Sequence, residues 1–166
     1  MTQDARAGKP LKTVVLGLGN ILLGDEGVGV HVVEELQRSG GLPGVELVDG
    51  GTAGFSLLPY FDGAGLVVIV DAAADGAPPG TVTLTRPAFS AAIPPVLMPH
   101  DVGLKTILDA LALGDERPEI ALLTISVAAA DRASLELSPP VAEAVFEAAD
   151  RVRRLLTRPA GRSTSR

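Results

Sequence analysis

Two adjacent carboxylates, Asp25 and Glu26, stand in a glycine-rich loop between Gly17 and Gly29; Asp49 and Asp71 each close an apolar run, and His100 follows a proline-rich stretch. Carboxylates and an imidazole serve as general acids and bases or as metal ligands. Glu26, Asp71 and His100 offer two carboxylates and one imidazole, a mixed set suited to a borderline transition metal such as nickel or zinc. Three ligands leave coordination positions open. The set therefore suits a metal that arrives with a partner, or is shared with one, better than a closed structural site.

Gly17-Leu18-Gly19 also resembles the start of a dinucleotide fingerprint, whose glycines let a pyrophosphate approach the backbone at a helix amino terminus. The third glycine of that pattern falls at Leu22, and the loop carries two negative charges where phosphate would sit. Two carboxylates repel an anion. Each residue also has a plain structural role to set against the chemical one. Asp25 and Glu26 suit a helix amino terminus, each effect being worth roughly 0.3 to 2 kcal/mol, and Asp71 suits a turn. A lone histidine among prolines is most often simply exposed. Joint occurrence at one sheet edge favours a site, with Asp25 as the helix cap that shapes the loop and Glu26 facing the metal. Asp49, Gly50 and Gly51 are expected to line the crevice beside it. Asn20 is expected to bond the loop backbone, and His31, with no partner evident in sequence, is assigned no role.

The elements that must hold these residues follow from periodicity. Thr13 to Gly17 reads as a buried strand, and Gly29, Val32, Val33 and Leu36 recur at helical spacing before Gly40-Gly41. Val45 to Val48 reads as a second strand, Thr52 as a cap, and Phe55 to Phe61 as a short helix. Leu66 to Val70 is an unbroken aliphatic run expected at the sheet centre, ending directly in Asp71. Thr81 to Thr85 reads as a strand nearer an edge, and Arg86 to Pro99 as a long loop. Asp101 caps an expected helix from Val102 to Leu113, Ile120 to Val127 supplies the fifth strand, and Ser138-Pro139 opens a helix to about Leu156. Strands alternating with helices imply a three-layer α/β/α fold around a mostly parallel sheet of about five strands, with the crevice beyond the carboxyl ends of the strands.

Composition agrees with a single domain. The chain has 166 residues, 46% apolar but only 3% aromatic, so its core is built from Val, Leu, Ile and Ala. Residues 1–12 are expected to be a flexible segment, 13–156 one domain, and 157–166 a disordered tail with several arginines. No cysteine is present, which excludes a disulfide, a thiolate nucleophile and sulfur ligation from this chain. A formal charge of -6 argues against sequence-independent nucleic-acid binding. Met1 to Pro10 lacks the apolar stretch of a signal peptide, and no run reaches the ~18 apolar residues of a membrane span. The cytoplasm is the expected compartment.

Four motifs carry a family resemblance: Gly17-Leu18-Gly19-Asn20-Ile21-Leu22-Leu23-Gly24-Asp25-Glu26-Gly27-Val28-Gly29, Asp49-Gly50-Gly51-Thr52-Ala53-Gly54, Val70-Asp71-Ala72 and Pro99-His100-Asp101-Val102-Gly103-Leu104. In order and approximate spacing, over about Thr13 to Leu156, the chain resembles the nickel-iron hydrogenase maturation endopeptidases. The resemblance implies that Glu26, Asp71 and His100 are the metal-contacting and catalytic residues. It further implies removal of a short carboxyl-terminal extension from the hydrogenase large-subunit precursor, with nickel supplied by that substrate. Val127-Ala128-Ala129-Ala130-Asp131 stands where the family usually carries a segment with proline and glutamate. Two other readings remain to be tested, a nucleotide-binding module and a noncatalytic metal-sensing chaperone of the same partner.

Overall fold

A computed structural model describes residues 11–87, 108, 109, 111, 117–128 and 133–157. Strand β1 (Lys12–Leu18) leads through a 3-10 turn at Gly24–Gly27 into helix α1 (Val28–Arg38). Strand β2 (Val45–Gly51) is followed by a 3-10 turn at Phe55–Leu57 and the short helix α2 (Leu58–Phe61). Strands β3 (Ala64–Ala73), β4 (Val82–Thr85) and β5 (Glu119–Ser126) precede the long helix α3 (Pro139–Thr157). Lys12 of β1, the last residue of the segment expected to be flexible, pairs with Ala64 of β3.

The strands form one sheet in the order β2-β1-β3-β5-β4. Pairing is parallel except between β4 and β5, where Val82 to Thr85 runs antiparallel to Ile125 to Leu122 at the sheet edge. From β1 the chain goes to β2 on one side and then to β3 on the other. This reversal opens a crevice at the carboxyl ends of β1 and β3, where open α/β sheets bind ligands.

Alternation along the buried strands divides the core by sheet face. Val15, Val68, Val70, Leu123 and Ile125 pack with Val32, Val33 and Leu36 of α1 and with Val141, Val145, Ala148 and Val152 of α3. Val14, Leu16, Val67, Ile69, Ile120 and Leu122 pack on the opposite face with Leu57, Phe61 and Leu108. This is the expected three-layer arrangement. The apolar stripes expected on α1 and α3 are the faces they bury, and Gly41 ends α1 by donating its N–H to the carbonyl of Leu36 at 2.9 Å.

Two local expectations are corrected. Asp71 does not follow its strand but lies inside it, because β5 continues the pairing through Asp71↔Thr124, Ala72↔Ile125 and Ala73↔Ser126. Thr52 caps no helix; Gly54 precedes the turn at Phe55, with no side-chain cap bond. The loop expected over Arg86 to Pro99 and the helix expected from Val102 lie largely outside the described residues, although Leu108, Asp109 and Leu111 are helical.

Candidate active site

The first site residue is placed by a chain that folds back on itself. After β1, Gly19 adopts φ +124°, and a Cβ there would collide with the carbonyl oxygen of Glu26. Only glycine fits both constraints. The N–H of Gly19 donates to Gly51 O at 2.9 Å. Asn20 then organises the loop as expected, its Oδ1 accepting the Leu22 N–H at 3.0 Å while its carbonyl accepts that of Leu23 at 3.0 Å. Glu26 emerges in the 3-10 turn only 7% exposed.

Asp25 has a different role from the one expected. Neither the 3-10 turn nor α1 has a side-chain cap bond. The Asp25 carboxylate instead accepts the backbone N–H and the hydroxyl of Ser138, at 2.6 and 2.7 Å. Ser138, read from sequence as the start of α3, thus binds the carboxylate loop.

Asp71 has no solvent exposure at all. It lies one residue beyond Gly17↔Val70, the last β1–β3 register pair, and opposite Thr124 of β5. Its Oδ1 accepts the N–H of Ala72 at 2.8 Å. Strand alternation places it on the same sheet face as Val67 and Ile69. Glu26 is brought to this strand by Gly29, whose absent Cβ leaves room for the carbonyl oxygens of Val70 and Leu18. Glu26 precedes Gly29 by three residues and Asp71 follows Val70 by one, so both buried carboxylates belong to the same corner of the sheet.

His100 lies outside the described residues. Leu108, eight residues later, is buried against the face from which Asp71 projects. Among the described residues no group of three or more His, Asp or Glu side chains could hold a metal. Glu26 and Asp71 supply only carboxylate oxygen.

The loop after β1 and the end of β2 enclose a cleft of about 290 Å³ lined by Gly19, Asn20, Ile21, Leu22, Val30, Asp49, Gly51 and Thr52. Asp49 is exposed there, with its Oδ1 accepting the Gly51 N–H at 3.0 Å. Gly50 does not line the cleft. It is buried beneath it, where a Cβ would press on Leu18. The sequence reading missed the apolar part of the lining, Ile21 and Leu22, which are 42% and 58% exposed. A run of aliphatic residues inside a loop, with no partner element to bury them, was the available signal. His31 has a partner after all: its Nδ1 lies 3.1 Å from Glu34 Oε2, one helical turn along α1.

Residues 30–154 match the family model HycI, described as hydrogenase maturation protease. The chain belongs to the hydrogenase maturation protease family. Hydrogenase 2 maturation protease of Escherichia coli is 37% identical over 142 residues, covering 84% of this chain and 86% of that protein. The hydrogenase expression/formation protein HupD of Rhodobacter capsulatus is 40% identical over 107 residues, covering 61% of this chain but spanning only half the length of that relative. Among solved structures, the hydrogenase maturating endopeptidase HybD from Escherichia coli has a TM-score of 0.75 at 32% identity, covering 87% of this chain and 91% of that one. The α/β architecture of this hydrogenase maturation protease is thus that of a known endopeptidase. Asp71 and His100 fall inside the matched span, whereas Glu26 precedes its start by four residues. The close approach of Gly29 to Val70 brings the turn that carries Glu26 to the strand that carries Asp71.

Proposed function

We propose that this hydrogenase maturation protease is a cytoplasmic endopeptidase that removes a carboxyl-terminal extension from the nickel-loaded large-subunit precursor of a nickel-iron hydrogenase. One observation supports the reading: two buried carboxylates, Glu26 in the turn after β1 and Asp71 in β3, stand on elements that adjoin where the chain reverses between β1 and β3. Carboxylates are retained in a protein interior where they are paired or coordinate a cation. The donor set suits a metal still held by its substrate. With Glu26, Asp71 and His100 on one side, the precursor's own ligands complete the coordination.

When the precursor binds, its nickel supplies Lewis acidity at the site. The chain's residues hold and orient it: Glu26 from the 3-10 turn, Asp71 from the rigid centre of the sheet, and His100 from the segment before Leu108. Asp49 and Gly51 line the cleft where the peptide lies. Specificity then rests on the loaded metal and the docked subunit, in keeping with a protease whose chain holds no cysteine. No helix among the described residues is long and apolar enough to cross a membrane, and a negatively charged chain gives no basis for nucleic-acid binding.

Incubation with precursor large subunit, followed by mass spectrometry, tests the assignment. Loss of the carboxyl-terminal extension is the expected result. A stable complex with unchanged precursor mass would favour a noncatalytic chaperone.

A further inference from the structure

Asp25 adjoins Glu26 in sequence, yet its partner is 113 residues away. Its two oxygens take different hydrogens of one residue, Oδ1 the Ser138 N–H at 2.6 Å and Oδ2 the Ser138 hydroxyl at 2.7 Å. Ser138 stands directly before Pro139 and Pro140, neither of which has an N–H to donate. The same two segments also exchange backbone bonds. Gly24 N–H donates to Ser134 O at 2.6 Å, and Ser134 N–H donates to Leu22 O at 3.0 Å. The turn bearing Glu26 is therefore fastened twice, to β3 through Gly29 and to the approach of α3 through Asp25.

We propose that Asp25 and Ser138 are positioning residues of the peptidase site, a two-bond clamp that sets where Glu26 stands relative to Asp71. The proposal rests on the reading that these two carboxylates receive the precursor's metal. Ligand geometry must be held to within about 0.5 Å by the groups behind it, and a short 3-10 turn has little rigidity of its own. The clamp works through hydrogen-bond geometry rather than through a proton or a metal bond. Asparagine can reproduce it, since its Oδ1 accepts the Ser138 N–H while its Nδ2 donates to the Ser138 hydroxyl oxygen.

The test compares Asp25→Ala, Asp25→Asn, Ser138→Ala and the double alanine variant by two readouts. Hydrogen–deuterium exchange on the protein alone is expected to quicken about tenfold across residues 22–27 in Asp25→Ala, to stay near wild type in Asp25→Asn, and to leave residues 120–125 of the central sheet unchanged. With nickel-loaded precursor, Asp25→Ala is expected to lower kcat roughly 10- to 100-fold while KM moves less than about threefold. Asp25→Asn restores at least about a third of the rate, Ser138→Ala falls between, and the double variant is no worse than Asp25→Ala, as a shared interaction requires. Unchanged exchange in Asp25→Ala overturns the clamp. Faster exchange with unaltered kcat shows a merely structural tie and overturns the positioning role. Equal loss in Asp25→Ala and Asp25→Asn shows that the carboxylate acts directly and overturns it as well. Wild-type protein that leaves the precursor intact overturns the functional reading instead, and the exchange data then decide the clamp by themselves.

Discussion

Gly29 of α1 lies against the carbonyl oxygen of Val70 in β3, with no room for a Cβ between them. This close approach lets the helix start sit on the central strand, and it carries the Glu26 turn to the strand that bears Asp71. Gly29→Ala is expected to destabilise the fold by about 1 to 3 kcal/mol through overpacking and to lower processing further than the loss of folded protein explains. Urea unfolding beside a processing assay checks both effects; wild-type stability and activity would show that the contact is not needed.

Glu26→Gln, Asp71→Asn and His100→Ala are each expected to reduce processing roughly 100-fold or more, the scale of losing a positioned acid, base or ligand. The first two substitutions nearly preserve shape, so thermal midpoints should stay within about 5 °C of wild type. Circular dichroism melts and precursor mass shifts provide the comparison. Full activity in all three variants would remove the proposed site.

Leu36 is fully buried between α1 and the sheet. Leu36→Ala is expected to cost about 2 to 5 kcal/mol in chemical denaturation. A cost under 1 kcal/mol would mean that this layer is packed differently.

Equilibrium dialysis with NAD, FAD and ATP is expected to show no binding in the micromolar range. The loop after β1 is filled by its own backbone, with Gly19 against the Glu26 carbonyl, and it carries two carboxylates and no basic side chain to meet a phosphate. Tight binding of any of the three would restore the nucleotide reading.

Much of the architecture was legible because its signals are local. The aliphatic run from Leu66 to Val70 marked the central strand, and the stripe of Val32, Val33 and Leu36 marked the buried face of α1. What escaped depends on residues distant in sequence. Asp71 looked like a turn residue until pairing with Thr124 carried the strand past it. Asp25 looked like a cap because a carboxylate before a helix usually is one; Ser138, its actual partner, has no sequence relation to it that periodicity could show. Gly50 read as cleft lining from its neighbours, but strand alternation turns it inward while Asp49 faces out.

The most direct measurement of the account mixes the protein with precursor large subunit prepared with and without nickel and follows the shift in subunit size on a gel. If Glu26, Asp71 and His100 recognise metal carried by the substrate, wild-type protein shortens only the nickel-loaded precursor, and Glu26→Gln shortens neither. Equal cleavage of the nickel-free precursor would contradict metal recognition.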